Sequence, residues 1–294
     1  MVSESGSDEA ALLKSYENLQ SIDPEAAKER LKEAKEIMDG LGVPFWLRQG
    51  TCLGAVRDND FIPWDDDIDL GCVIGLNGLT EDQIDPIVEG FREQGYFVEV
   101  EHSDREISAG MIKNSVRVDL TFFQIIDDDS IFHFPMIWMP ARLFANLKPI
   151  EFMGDIHFVP NPPEEYLETK YGPNWTTPKQ EGYERDVFAQ IAKAPASVFE
   201  TAPGHPLTMI RILDLQNEVV VDAEVSIVGV ADARTDGEGC VEFNLPYKDF
   251  YAVVVKHGEH EEILYQEILN PGNSYTYTPD PARPNGRYIA MREE

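Results

Sequence analysis

The residues of this 294-residue chain whose spacing points most directly to chemistry are its aspartates. Phe61-Ile62-Pro63-Trp64-Asp65-Asp66-Asp67-Ile68-Asp69-Leu70 reads as a strand entered through a run of acids. Side chains two apart in a strand face the same way, so Asp67 and Asp69 present both carboxylates to one point while Ile68 and Leu70 face the other side. Aligned carboxylates repel. A hard divalent cation such as Mg2+ or Mn2+ between them offsets that cost. Asp119 offers a third ligand of the same kind, because it interrupts the apolar run Val116-Arg117-Val118-Asp119-Leu120-Thr121-Phe122, where a charge is expensive unless paired or metal-bound. If the two strands are neighbours, the three acids form a cup for one or two ions. Such a cup can activate an attacking hydroxyl and stabilise a phosphate leaving group, with Asp119 as general base.

Two blander readings stand beside this one. An acidic cluster is often no more than a solvated turn. A calcium loop fits poorly, since Leu70 occupies the glycine position and Leu76 stands where the loop needs Glu. Gly50-Thr51 weighs toward phosphate chemistry. This pair lies about 15 residues before Asp67, at a helix start whose backbone donors and hydroxyl can hold phosphate oxygens.

The elements that must position these groups are also readable. Asp23-Pro24 is a helix start, with Asp23 able to accept from orphan backbone donors and Pro24 preset for the first turn. Ala27, Leu31, Ala34, Ile37 and Leu41 follow at helical spacing, and Gly40 and Gly42 close the run. A short strand over 43–47, a helix from Cys52 to Arg57 and a strand over 68–74 come next. Glu81 to Gln94 reads as a helix on Ile84, Ile87, Val88 and Phe91, followed by β-like runs over 96–101, 107–112 and 116–126. A short helix is expected around 164–171. This order predicts an α+β domain, a sheet covered by helices.

After Pro195 the pattern changes to β-like runs at 209–213, 219–230, 240–245, 251–256 and 263–268, separated by turns such as Asp236-Gly237-Glu238-Gly239. That spacing predicts a small all-β sandwich. The expected organisation is a flexible segment over 1–20, a catalytic domain over 21–200 and the sandwich over 205–294, with the boundary in the Pro-rich stretch 195–206.

Composition narrows the partners. A formal charge of -30, from 54 acidic and 24 basic side chains, argues against a nucleic-acid partner, which needs a basic footprint. The charge suits a well-solvated surface or a high-salt habitat. Neither a signal peptide nor an integral membrane segment is expected, so the predicted location is cytoplasmic, with a peripheral position at the inner membrane face as a variant. Cys52, Cys72 and Cys240 are too scattered for a disulfide framework or a zinc site. The sequence says nothing of oligomeric state.

Phe45-Trp46-Leu47-Arg48-Gln49-Gly50-Thr51-Cys52-Leu53-Gly54-Ala55-Val56-Arg57, followed by Phe61-Ile62-Pro63-Trp64-Asp65-Asp66-Asp67-Ile68-Asp69, resembles the signature of the LicD/fukutin family. Asn161-Pro162-Pro163-Glu164-Glu165-Tyr166-Leu167 with Tyr171-Gly172-Pro173-Asn174-Trp175 resembles that family's C-terminal motif. The resemblance spans roughly residues 25–180. It implies a nucleotidyltransferase-like fold that transfers a phospho-alcohol group, such as phosphocholine or ribitol phosphate, from a CDP-linked donor to a glycan or glycolipid hydroxyl. By the same resemblance Asp67, Asp69 and Asp119 are metal ligands, Gly50 and Thr51 hold donor phosphate, and Arg57 pairs with phosphate or, alternatively, with nearby aspartates. Trp64 and Trp175 stack on a base or sugar, or pack in the core.

The C-terminal run with Val225-Ser226-Ile227 and Thr235-Asp236-Gly237-Glu238-Gly239-Cys240 resembles the carboxypeptidase regulatory-like, transthyretin-like sandwich family, in which the Thr-Asp turn is structural. Other functions remain open at the level of sequence: a nucleotide-sugar glycosyltransferase using the same Asp-x-Asp site, or a non-catalytic binding protein.

Overall fold

The computed structural model describes residues 5–17, 20–103, 105–126, 129–133, 137–180, 183–188, 191, 206–245, 248–280 and 290–294. The chain divides into two compact units, one of residues 1–132 and 138–186, the other of 133–137 and 187–294. The predicted boundary stretch, apart from Pro206, lies outside the described residues.

The first unit begins with helix α1 (Ser5–Glu17) where a flexible segment was expected. Its composition is polar, but Leu12 is fully buried and fixes it to the unit. Helix α2 (Pro24–Gly40) starts as its sequence dictates, with the Asp23 carboxylate accepting from the Ala26 N–H at 2.9 Å. Ala27, Leu31, Ala34 and Met38 form its buried stripe. Strand β1 is only Trp46–Leu47, shorter than the predicted run, and helix α3 (Gln49–Arg57) begins earlier than expected. Strand β2 (Asp67–Val73) carries the Asp-x-Asp pair, and α4 (Ile84–Glu93) buries the predicted Ile84, Ile87, Val88 and Phe91. Strands β3 (Phe97–His102), β4 (Glu106–Lys113) and β5 (Val116–Phe123) complete a five-stranded sheet of order β1-β2-β5-β4-β3. Only β2 and β5 run parallel, so the sheet is mixed.

Beyond the sheet, β6 (Ile125–Ile126) pairs with β7 (Ser130–His133), followed by β8 (Ile137–Pro140), the single turn α5 (Arg142–Ala145) and the hairpin β9 (Lys148–Phe152) and β10 (Asp155–Val159). Helices α6 (Pro163–Tyr171) and α7 (Tyr183–Phe188) follow. Trp46 is the hub of the core, with the rings of Phe144, Tyr166 and Phe123 at 4.7, 5.5 and 6.0 Å. Its indole lies against Gly71 on β2, where a Cβ would come within 2.6 Å of the ring.

The second unit is all β in its sheets. Strands β11 (Thr208–Ile212), β12 (Glu224–Ile227), β13 (Ala231–Arg234), β14 (Cys240–Phe243), β15 (Asp249–His257), β16 (His260–Leu269), β17 (Ser274–Tyr277) and β18 (Arg292–Glu293) form two four-stranded sheets of order β14-β11-β17-β18 and β13-β12-β15-β16. The run 219–230 is not one strand, because Asp222 turns the chain with φ 59° before β12. Thr235 is buried, accepts from the Ala223 N–H at 2.9 Å and donates to the Val220 carbonyl at 2.7 Å. Asp236 caps the following turn by accepting from the N–H groups of Glu238 and Cys240, which holds its carboxyl below the usual range. The Thr-Asp turn is thus a structural clamp. His257 and His260 are exposed, with His260 Nε2 3.0 Å from the Tyr277 hydroxyl.

The expected α+β class, a mixed sheet with helices followed by an all-β region, is the architecture observed.

Candidate active site

The parallel pairing of β2 with β5 assembles the site. Its register sets Asp69 opposite Asp119 and Asp67 opposite Arg117, and residues opposite one another share a face of the sheet. Asp67, Asp69 and Asp119 therefore lie on one face of the sheet, as the strand periodicity predicts.

Arg117 stands in the middle of them. Its Nη2 donates to Asp66 Oδ2 at 2.6 Å and also to Asp67 Oδ2, and its Nε donates to Asp119 Oδ2 at 3.1 Å. Burial opposes charge on this guanidinium, which is 4% exposed, but Asp67, Asp119 and Asp66 together outweigh burial and hold it protonated above its ordinary range. Sequence reasoning passed over this residue. The signal was available, because Arg117 sits two positions before Asp119 and so must share its face.

A second cation braces Asp69. Arg48 Nη2 and Gln49 Nε2 both donate to Asp69 Oδ1, at 2.8 and 3.0 Å. Burial raises the Asp69 carboxyl well above the carboxylate range, the charge of Asp67 adds to that, and Arg48 offsets part of it. Asp119 is raised by burial and by Asp67, against the lowering influence of Arg117 and a hydrogen bond from Tyr16. Both acids are thus better proton acceptors than a free carboxylate.

The Gly-Thr turn ties α3 to β2. Thr51 is buried, and its hydroxyl, read from the sequence as free to hold phosphate, accepts from the Asp69 N–H at 2.9 Å. Gly50 makes room for the Asp65 carboxylate, which lies 2.3 Å from where a Cβ would be. Arg57 does not reach the cluster. It forms a two-point pair with Asp58 at 2.6 and 3.0 Å, at the end of α3 remote from Gly50. Trp64 and Trp175 are each half-buried.

The donor set suits a hard cation. Carboxylate oxygens of Asp65, Asp66 and Asp67 lie within 4.8 Å of one another. When ionised, Asp65, Asp66, Asp67, Asp69 and Asp119 outnumber Arg48 and Arg117, which leaves net negative charge that favours a cation. Asp67 belongs to this group; Asp69 and Asp119 lie outside it, and the Arg117 guanidinium bridges Asp67 and Asp119.

This combination of a Gly-Thr turn, an Asp-x-Asp strand and a third acid on the adjacent parallel strand defines a nucleotidyltransferase-type domain. Residues 42–162 match the family "LicD/FKTN/FKRP, nucleotidyltransferase domain", and over this region the chain is similar to the LicD/fukutin family. It is 34% identical over 163 residues to the mouse (Mus musculus) "Ribitol-5-phosphate transferase FKTN", covering 52% of this chain and 33% of that protein. The human (Homo sapiens) "Ribitol 5-phosphate transferase FKRP" is 29% identical over 163 residues, covering 50% of this chain and 31% of the relative. An uncharacterized protein of Rickettsia prowazekii is 35% identical over 75 residues. The chain thus spans about a third of the length of the transferases it matches. Among the described residues no helix is long and apolar enough to cross a membrane.

Proposed function

We propose that the first unit transfers a phospho-alcohol group, such as ribitol phosphate or phosphocholine, from a CDP-activated donor to a glycan or glycolipid hydroxyl, and that it depends on Mg2+ or Mn2+. The observation that supports this reading is the placement of Asp67, Asp69 and Asp119 on one face of two parallel strands. The activity for which the mouse and human relatives are named, ribitol-phosphate transfer, supports the substrate class.

Asp67, Asp69 and Asp119 would hold the cation, which when bound supplies positive charge to the diphosphate. Asp119 would accept the proton of the attacking hydroxyl. The acceptor oxygen forms a bond to the donor phosphorus that bears the alcohol, the bond from that phosphorus to the CMP oxygen breaks, and CMP departs with the electron pair. Arg48 and Gln49 fix Asp69, and Thr51 fixes the backbone beneath it. For the second unit, the two sheets and the Thr235 clamp support the carboxypeptidase regulatory-like reading, with a role in packing or in partner or glycan contact.

A panel of CDP-ribitol, CDP-glycerol and CDP-choline should release CMP in the presence of Mg2+ or Mn2+. Asp69→Asn should lower turnover by at least a hundredfold while the fold, read by circular dichroism, is retained. Full turnover in Asp69→Asn or in excess chelator would overturn the metal-dependent mechanism. Release of UDP or GDP from sugar nucleotides alone would replace it with a glycosyltransferase.

A further inference from the structure

Helix α1 packs against β3 and β4 and brings three contacts to the carboxylate site. The Tyr16 hydroxyl donates to Asp119 Oδ1 at 2.8 Å. Its ring lies on the Arg117 guanidinium, 4.3 Å from ring centre to Cζ, and Arg117 Nη1 donates to Ser15 Oγ at 3.4 Å. The hydroxyl occupies a notch that only glycine leaves open, since a Cβ on Gly110 would stand 2.4 Å from it. Gly110 is the register partner of Asp119 on β4, so the notch opens directly beside the third acid. Tyr16 keeps 45% of its surface exposed, so burial of its own apolar area does not explain why it is seated there.

We propose that α1 is a tethered cover of the metal site, in which Tyr16 and a divalent cation compete for Asp119. With Tyr16 seated, the acid is committed to a hydroxyl and to Arg117. With a cation bound, Asp119 is drawn into coordination, the hydroxyl loses its acceptor, and the Tyr16 end of α1 lifts from the carboxylates while Leu12 keeps the helix tethered. The proposal rests on the reading of these carboxylates as the metal site. Any substitution that weakens the Tyr16 contact therefore strengthens cation binding, the reverse of what loss of a supporting residue would do.

Mn2+ binding to the full chain, followed by the loss of the free-ion electron paramagnetic resonance signal, tests this. Tyr16→Phe removes the hydroxyl and keeps the ring, while Gly110→Ala fills the notch. Each should tighten Mn2+ binding about tenfold, as expected for removing one hydrogen bond to a charged acceptor. In the unaltered chain, hydrogen exchange over residues 8–17 should accelerate on saturation with Mn2+. Equal or weaker Mn2+ binding in both variants, with binding still abolished by Asp69→Asn, would overturn the cover and leave the metal site standing. No Mn2+ binding in the unaltered chain or in either variant would overturn both.

Discussion

At the residue scale, the site depends on small residues as much as on acids. Gly71 lies next to Leu70 on the strand that carries Asp67 and Asp69, and the indole of Trp46 fills the space a side chain would need. Gly71→Ala should destabilise the first unit by about 1–3 kcal/mol, the usual cost of overpacking a rigid core. A urea midpoint equal to that of the unaltered chain would show that Trp46 can shift without cost. The acids themselves were legible, because period-two alternation fixes which of them share a face. The roles of Thr51 and Arg117 were not. Both depend on partners distant in the chain, Asp69 for Thr51 and Asp66 with Asp67 for Arg117, and chain-local spacing carries no information about such partners.

At the element scale, the β9–β10 hairpin holds a titratable group in an unfavourable place. His157 is buried between the rings of Phe45 and Phe152, and burial, with Lys35 adding to it, pushes its imidazole down to about 4, against the opposing pull of Asp155 and Asp39. The folded value lies below the unfolded value of about 6.5, so between the two the unfolded chain binds a proton that the folded chain refuses. Stability should therefore fall as pH drops from about 6.5 toward about 4. His157→Phe, which suits the ring neighbours, should flatten that limb in a series of urea midpoints against pH; an unchanged slope would place the acid sensitivity elsewhere. Helices α2 and α4 were readable because their caps and apolar stripes are local. Helix α1 was not, since its stabilising contacts, Leu12 in the core and Tyr16 on Asp119, are made with residues about a hundred positions away or hidden in a polar composition.

At the scale of the whole molecule, 54 acidic against 24 basic side chains makes self-repulsion a general burden on both units. Raising NaCl from about 0.05 M to about 1 M shortens the screening length to about 3 Å, so the apparent unfolding temperature should rise by several degrees. A midpoint that falls with salt would mean that attractive pairs such as Arg48–Asp69 outweigh the repulsion. The change from mixed α and β to all-β was visible in the sequence as a change of period. The division of the chain was less so, because residues 133–137 group with the second unit although they lie within the span assigned to the first.

The one parallel pairing in the first sheet also governs when the protein acquires its site. Strands β2 and β5 are separated by α4 and by the β3–β4 hairpin, so no contiguous fragment ending before Asp119 can hold the complete set of acids. During synthesis Asp65 to Asp69 leave the ribosome with Arg48 already present to pair with Asp69, while Asp66 and Asp67 wait, mutually repelling, until Arg117 arrives as their strong counter-charge. Arg117 is in this sense the resident that holds the place of the ion until the strands have closed.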